Sequence, residues 1–183
     1  MFIQTETTPN PATLKFLPGR AVMEGSTADF RVPPAPGVSP LAARLFAVEG
    51  VDGVFLGTDF ITVTKADGRD WQVVKPIILA AIMEHYTSGE PAVVAATGDN
   101  AEAEGADSDV VAQIKELLET RVRPAVAQDG GDIVFRKYEE GIVYLRMQGS
   151  CSGCPSSAAT LKVGIENMLK HFIPEIREVR PVE

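Results

Sequence analysis

Apolar positions recur along this chain with two different periods, and the switches between them outline its elements. From residue 110, Val110, Ile114, Leu117, Leu118 and Val122 form one stripe at helical spacing. The stripe runs out at Gln128-Asp129-Gly130-Gly131-Asp132, where a glycine can take the left-handed conformation that ends a helix. Two strands are expected next, Ile133 to Tyr138 and Ile142 to Met147, turned by Glu139-Glu140-Gly141. On the second, Val143, Leu145 and Met147 share a face, the period-two mark of a sheet with one side buried. A further helix carries Leu161, Ile165, Met168, Leu169 and Phe172; Pro174 ends it, and Ile176 to Val179 reads as a closing strand. The order α-β-β-α-β describes a small sheet covered on one face by helices.

The upstream half mixes the same two signals. Phe2 to Thr5 and Thr13 to Leu17 read as short strands separated by Pro9-Asn10-Pro11, and a loop rich in Pro and Gly follows from Pro18 to Gly37. Ser39 is a good N-cap with Pro40 at the first helical position, and Leu41, Leu45 and Val48 then recur at helical spacing. Val51 to Leu56 and Phe60 to Thr64 flank Gly57-Thr58-Asp59, a link of hairpin length. The next helix carries Val74, Ile77, Ile78, Ala81 and Ile82. Either Asp70 caps it, leaving Pro76 to interrupt a hydrogen bond, or Pro76 lies in its first turn.

Between the halves the composition changes. Residues 89–108 are acidic and rich in Ala, Gly, Ser and Thr, with no basic side chain. Too little apolar surface is available there to offset ordering, and like charges favour extension. The expected organisation is therefore α/β in the α+β sense: two small mixed domains, 1–88 and 109–183, joined by an acidic flexible linker at 89–108. At 183 residues with 45% hydrophobic content, the chain is long enough for both.

Charge and length exclude several classes. The net charge is −8 and no Lys/Arg run is interleaved with aromatics, so nucleic-acid binding is not expected. No apolar run approaches a membrane span, and the N-terminus lacks a secretory design. Glu6 precedes Lys15, the first basic side chain, unlike an Arg-rich presequence. The expectation is a bacterial cytoplasmic protein, or a mitochondrial matrix protein whose presequence has been removed.

The candidate chemistry is concentrated in Gly149-Ser150-Cys151-Ser152-Gly153-Cys154-Pro155, which holds the only two cysteines. A disulfide between positions three apart would staple almost nothing, in keeping with a reducing compartment. The pair sits on a strand-to-helix turn, where unpaired backbone N–H groups and the helix dipole are expected to stabilise thiolates on Cys154 and Cys151. Gly149, Ser150, Ser152 and Gly153 are small, which should expose the sulfurs and admit another backbone or a ligand. Thiolates ligate soft metals or attack disulfides, so a thiol–disulfide oxidoreductase and a zinc-bridged interaction protein both remain open. Two thiolates cannot complete a tetrahedral site, and His85 and His171 have no zinc-finger spacing. A second chain related by two-fold symmetry would supply four cysteines, the usual complement of an iron–sulfur cluster.

The other polar features have plain readings. Asp129-Gly130-Gly131-Asp132 is a helix-to-strand turn, with too few carboxylates for a calcium cage. His85 and His171 are structural or solvated, and Trp71 and Phe55 are packing residues. Ser156 and Ser157 fit both a helix start and donors to cluster sulfides.

Gln148 to Ser157, continuing through Thr160-Leu161-Lys162-Val163-Gly164-Ile165-Glu166, closely resembles the C-terminal domain of NifU-like proteins, and Arg123-Pro124 with Asp129 to Ile133 fits the same family. Thr8 to Phe16, with Ser39-Pro40-Leu41-Ala42 and Phe46, is similar to the N-terminal domain of the Nfu subgroup. The resemblance implies a carrier, with no substrate turnover, in which a homodimer holds a [4Fe–4S] cluster between subunits and passes it to apo-proteins. It implies Cys151 and Cys154 as the only ligands. It also implies an N-terminal domain that engages clients or upstream assembly proteins. The cysteine-rich scaffold domain of nitrogen-fixation NifU is not in this sequence, which favours transfer over de novo assembly.

Overall fold

The computed structural model describes residues 1–94, 109–152 and 155–182, in two units divided at Gly98 and Asp99. Most of the expected linker, residues 95–108, lies outside the described residues.

Unit 1 is an antiparallel sheet of five strands in the order β1-β2-β5-β4-β3: β1 Gln4–Thr7, β2 Thr13–Leu17, β3 Ala28–Phe30, β4 Val51–Leu56 and β5 Ile61–Lys65. Helices α1 (Pro40–Phe46) and α2 (Trp71–Ser88) share its core, in which Phe16, Leu41, Leu45, Leu56, Ile61, Ile78 and Ile82 are fully buried. The Ser39 cap is as expected: its Oγ accepts the Ala42 N–H at 3.1 Å. Asp70 settles the start of α2 by accepting the Gln72 N–H at 2.9 Å, so Pro76 lies inside the helix. Trp71 is anchored at that start, its Nε1 donating to the Pro11 carbonyl at 3.1 Å. Strand β3 falls inside the segment expected to be an irregular loop. The packing of unit 1 also continues past residue 88: Ser39 donates to the Ala92 carbonyl at 2.6 Å, and the Val94 N–H to the Val38 carbonyl at 2.9 Å.

His85 extends the inner stripe of Val74, Ile78 and Ile82 and is 1% exposed, which places it with the structural reading. Its Nδ1 has no hydrogen-bond partner and its ring meets Tyr86 edge-on at 5.5 Å. Burial first, and the nearby Arg44 charge second, hold its pKa below the ordinary 6.5, with Glu90 opposing. The unfolded chain therefore takes up a proton that the folded one resists, and unit 1 should lose stability as pH falls below 6.5. Glu90, whose pKa is lowered by its hydrogen bond to Arg44, adds a second loss below its ordinary 4.5. Denaturant midpoints between pH 7.5 and 5.5 should fall in the wild type and stay flat in His85→Phe. An unchanged slope in that variant would place the dependence elsewhere.

Unit 2 is α3 (Asp109–Leu117), a π-helical turn (Leu118–Val122), α4 (Arg123–Gln128), β6 (Gly131–Glu139), β7 (Ile142–Gly149), α5 (Pro155–Phe172) and β8 (Glu178–Val182). β6 and β7 are an antiparallel hairpin and β8 runs parallel to β7. This is the expected α-β-β-α-β order, with the first helix opened by one π turn. Pro124 explains the opening. It has no N–H for the Thr120 carbonyl and its ring crowds that oxygen, while the Arg123 N–H reaches back five residues to Leu118. Val111, Ile114, Leu118, Val122 and Val126 are buried from the helical segment. Val143, Leu145 and Met147 are buried from β7 and Ile165 and Leu169 from α5, closing one core. The stripe centres on Val111, with Val110 and Leu117 packed at its edge.

Candidate metal centre

The cysteine turn begins where β7 ends, at Gly149 with φ 63°, and α5 opens at Pro155. Ser152 closes it locally, its N–H and Oγ both donating to the Gly149 carbonyl at 3.1 and 2.9 Å. Ser150 ties it to the helix-to-strand turn before β6. Its N–H donates to the Gly130 carbonyl at 3.2 Å and its Oγ to the Asp129 carbonyl. The first residues of β6 thus lie directly against the cysteine, with Gly131 paired to Gly149.

Glycine at 131 is a requirement of this contact. A methyl group there would stand 2.6 Å from Cys151 Sγ and 2.8 Å from the Gln148 carbonyl oxygen, closer than packed carbon atoms allow. Next to it, Asp132 is 4% exposed and holds the Arg123 guanidinium by two bonds, Nε to Oδ1 at 2.8 Å and a terminal nitrogen to Oδ2 at 2.9 Å. The Ile133 N–H donates to the same carboxylate at 2.8 Å, and Arg123 also reaches Glu119 at 2.6 Å. The bond to Asp132 raises the Arg123 pKa further, so the guanidinium stays charged. The expected helix-to-strand turn is confirmed, and it carries the floor of the cysteine site.

Cys151 differs from expectation. It is 7% exposed and belongs to the unit 2 core. Burial pushes its thiol up to about 12; a hydrogen bond with Ser150 opposes the shift, and the charges of Asp129 and Asp132 add to it. The small neighbours therefore admit the backbone of β6 instead of exposing the sulfur. Cys151 also lies four positions before the first residue of α5, and desolvation decides its protonation state. Cys154, next to the helix start, lies outside the described residues.

His171 is exposed at the end of α5 with its ring edge-on to Phe172 at 5.1 Å, and His85 belongs to unit 1. Among the described residues no three of His, Cys, Asp and Glu are grouped to hold a metal ion. Among the described residues Cys151 is therefore a lone candidate donor, whose thiol would have to lose a proton to ligate a metal. Reasoning from the sequence had not found roles for Gly131, Ser150, Arg123 or Asp132. For Gly131, Arg123 and Asp132 the signal is the similarity at Arg123-Pro124 and Asp129 to Ile133, and for Ser150 that of Gln148 to Ser157, where it reads only as a small residue beside Cys151.

Residues 3–89 match the family model described as the scaffold protein Nfu/NifU N-terminal domain, and residues 114–180 match the NifU-like domain. The human protein "NFU1 iron-sulfur cluster scaffold homolog, mitochondrial" is 53% identical over 183 residues, covering 100% of this chain and 72% of its own length. "NifU-like protein 4, mitochondrial" of Arabidopsis thaliana is 55% identical over 186 residues, covering 98% of this chain and 65% of its own length. A solution structure of a NifU-like protein from Saccharomyces cerevisiae, 29% identical, aligns over 51% of this chain and 84% of that one with a TM-score of 0.46. With both domain matches in order and identity maintained over its whole length, the chain belongs to the Nfu/NifU scaffold protein family.

Proposed function

We propose that this protein is an iron–sulfur cluster carrier in which two copies hold one [4Fe–4S] cluster through Cys151 and Cys154 of each and pass it to apo-proteins. The observation that carries this reading is an incomplete site: Cys151 is held in a built turn, yet one chain's described residues offer no third ligand beside it. The cysteine pair fits an iron–sulfur cluster, which prefers thiolates, and two-fold pairing gives the usual four. The cluster is cargo. It leaves stepwise as client thiolates replace Cys151 and Cys154, so the protein performs no turnover of its own. Upstream assembly proteins and apo iron–sulfur proteins are its partners, and unit 1 is the part assigned to them. The relatives' names support this reading, since they describe iron–sulfur cluster scaffolds, and their mitochondrial location supports the matrix over a bacterial cytoplasm.

Anaerobic reconstitution with iron and sulfide, followed by native mass spectrometry and Mössbauer spectroscopy, tests the proposal. Two chains with one [4Fe–4S] unit are expected, and no cluster in Cys151→Ala or Cys154→Ala. A dimer retaining only zinc, or a monomer cycling between dithiol and disulfide, would overturn it.

A further inference from the structure

His85 is an uncommon residue to find in the core of unit 1. It is 1% exposed, and its Nδ1 has no hydrogen-bond partner. Such a site tolerates the imidazole only while it is neutral, because imidazolium brings a full charge and a second N–H that needs an acceptor. The charges that act on it are opposed: Arg44 of α1 disfavours the cation and Glu90 favours it. Glu84, on the same helix, is engaged by Arg44 at 2.9 Å. Tyr86 meets the ring edge-on at 5.5 Å, and burial raises its hydroxyl above the ordinary 10, so it stays neutral. In the sheet, Lys15 and Asp29 alternate with the core residues Leu14, Phe16, Ala28 and Phe30, which places both on the face away from the helices.

The segment that follows α2 is lightly attached. Gly89, with φ 74°, ends the helix, and residues 90–94 then run antiparallel to α1 without regular structure. Glu90 meets Arg44 at 2.9 Å, the Ala92 carbonyl accepts from Ser39 Oγ at 2.6 Å, and the Val94 N–H donates to the Val38 carbonyl at 2.9 Å. Ala92 and Val93 are half-buried against the core. Segments held by so few contacts open locally, at less cost than the helices beneath them.

We infer that residues 90–94 are an acid-released strap: proton uptake by His85 detaches them from α1 while the helices and sheet of unit 1 stay folded. The sign follows from burial. With the strap in place the imidazole resists its proton, and once uncovered it titrates at its ordinary 6.5. Opening is therefore favoured as pH falls through 6.5, and the ratio of open to closed strap should rise about tenfold between pH 7.5 and 5.5. The Arg44–Glu90 pair does not supply this change, since Glu90 is held below its ordinary 4.5 and stays charged throughout. Release frees at most about 17 Å of extended chain at the exit from unit 1.

Amide hydrogen exchange of the full-length protein tests this, read by NMR at pH 7.5 and 5.5 and corrected for intrinsic rates. The Val94 amide should be less protected than those of Ile78 and Ile82 at both pH values, and its protection should fall about tenfold at the lower one. In His85→Phe the Val94 protection should be the same at both. His85→Gln, neutral and polar, should behave alike and covers the case of a phenylalanine that packs poorly. Protection at Val94 that does not change with pH in wild type, or a fall that persists in both variants, takes the trigger away from His85. Equal protection at Val94 and Ile78 would mean that strap and helix open together, and no protection at Val94 at pH 7.5 would mean that there is no strap. Each of these results overturns the inference.

Discussion

Gly131→Ala is expected to lose most of its capacity to hold a cluster while unit 1 folds as before. The added methyl would stand 2.6 Å from Cys151 Sγ and 2.8 Å from the Gln148 carbonyl oxygen. That carbonyl belongs to the end of β7, where Gln148 is paired with Asp132 of β6, which limits its freedom to retreat. The cysteine turn is the softer side, and relief requires Cys151 to swing away from β6 with loss of the two Ser150 bonds to Asp129 and Gly130. Overpacking of this kind costs about 1–3 kcal/mol. The larger effect is geometric, because sulfur positions must suit four ligands at once. Iron and sulfide per chain after reconstitution should fall at least about tenfold, a change worth roughly 1.4 kcal/mol of binding. The unit 2 transition should move lower while the unit 1 transition stays. Full iron content in Gly131→Ala would show that the turn is not built on this contact.

How much of this was legible in the sequence depends on the distance over which each feature is decided. Ser39 with Pro40, and the inward set Val143, Leu145 and Met147, are settled by residues within a few positions, and the structure reproduces them. The α2 start needed only the Asp70 side chain to choose between two openings. Strand β3 was not legible, because three residues carry no period and Ala28 to Phe30 become a strand only by pairing with Val54 to Leu56. β8 was placed early for a related reason. The expected strand ends at Val179, yet an edge strand tolerates proline, and the pairing of Leu145 with Pro181 carries the observed one to Val182. At the candidate site, the spacing singles out the cysteine pair and says nothing of the burial of Cys151. Whether Sγ of Cys151 meets water depends on Gly131, twenty residues away, and local small residues are equally consistent with either outcome.

The same distance argument singles out Arg123 and Asp132, and here the expected effect is on the stability of unit 2. Asp132 has almost no contact with water and draws its compensation from the Arg123 fork and the Ile133 N–H. Arg123→Met takes the guanidinium fork away from that buried carboxylate, and removing one partner of a buried pair costs about 3–5 kcal/mol. A third of the Arg123 side chain is exposed, so water softens the loss to about 2–3 kcal/mol. Asp132→Asn keeps the shape and one acceptor but leaves the cation with Glu119 alone at the helix junction. The double variant should be less destabilised than the two single effects summed, since neither charge is then stranded. The pair also joins α4 to the first residues of β6, the strand on which Cys151 rests. Cluster retention should therefore fall with unit 2 stability in Arg123→Met and recover in part in the double variant. Chemical unfolding of the four proteins, read beside their iron content, checks both statements. Strict additivity in stability would mean that the fork is a surface ion pair of little consequence. Iron content unchanged across all four would mean that the floor of the site does not depend on it.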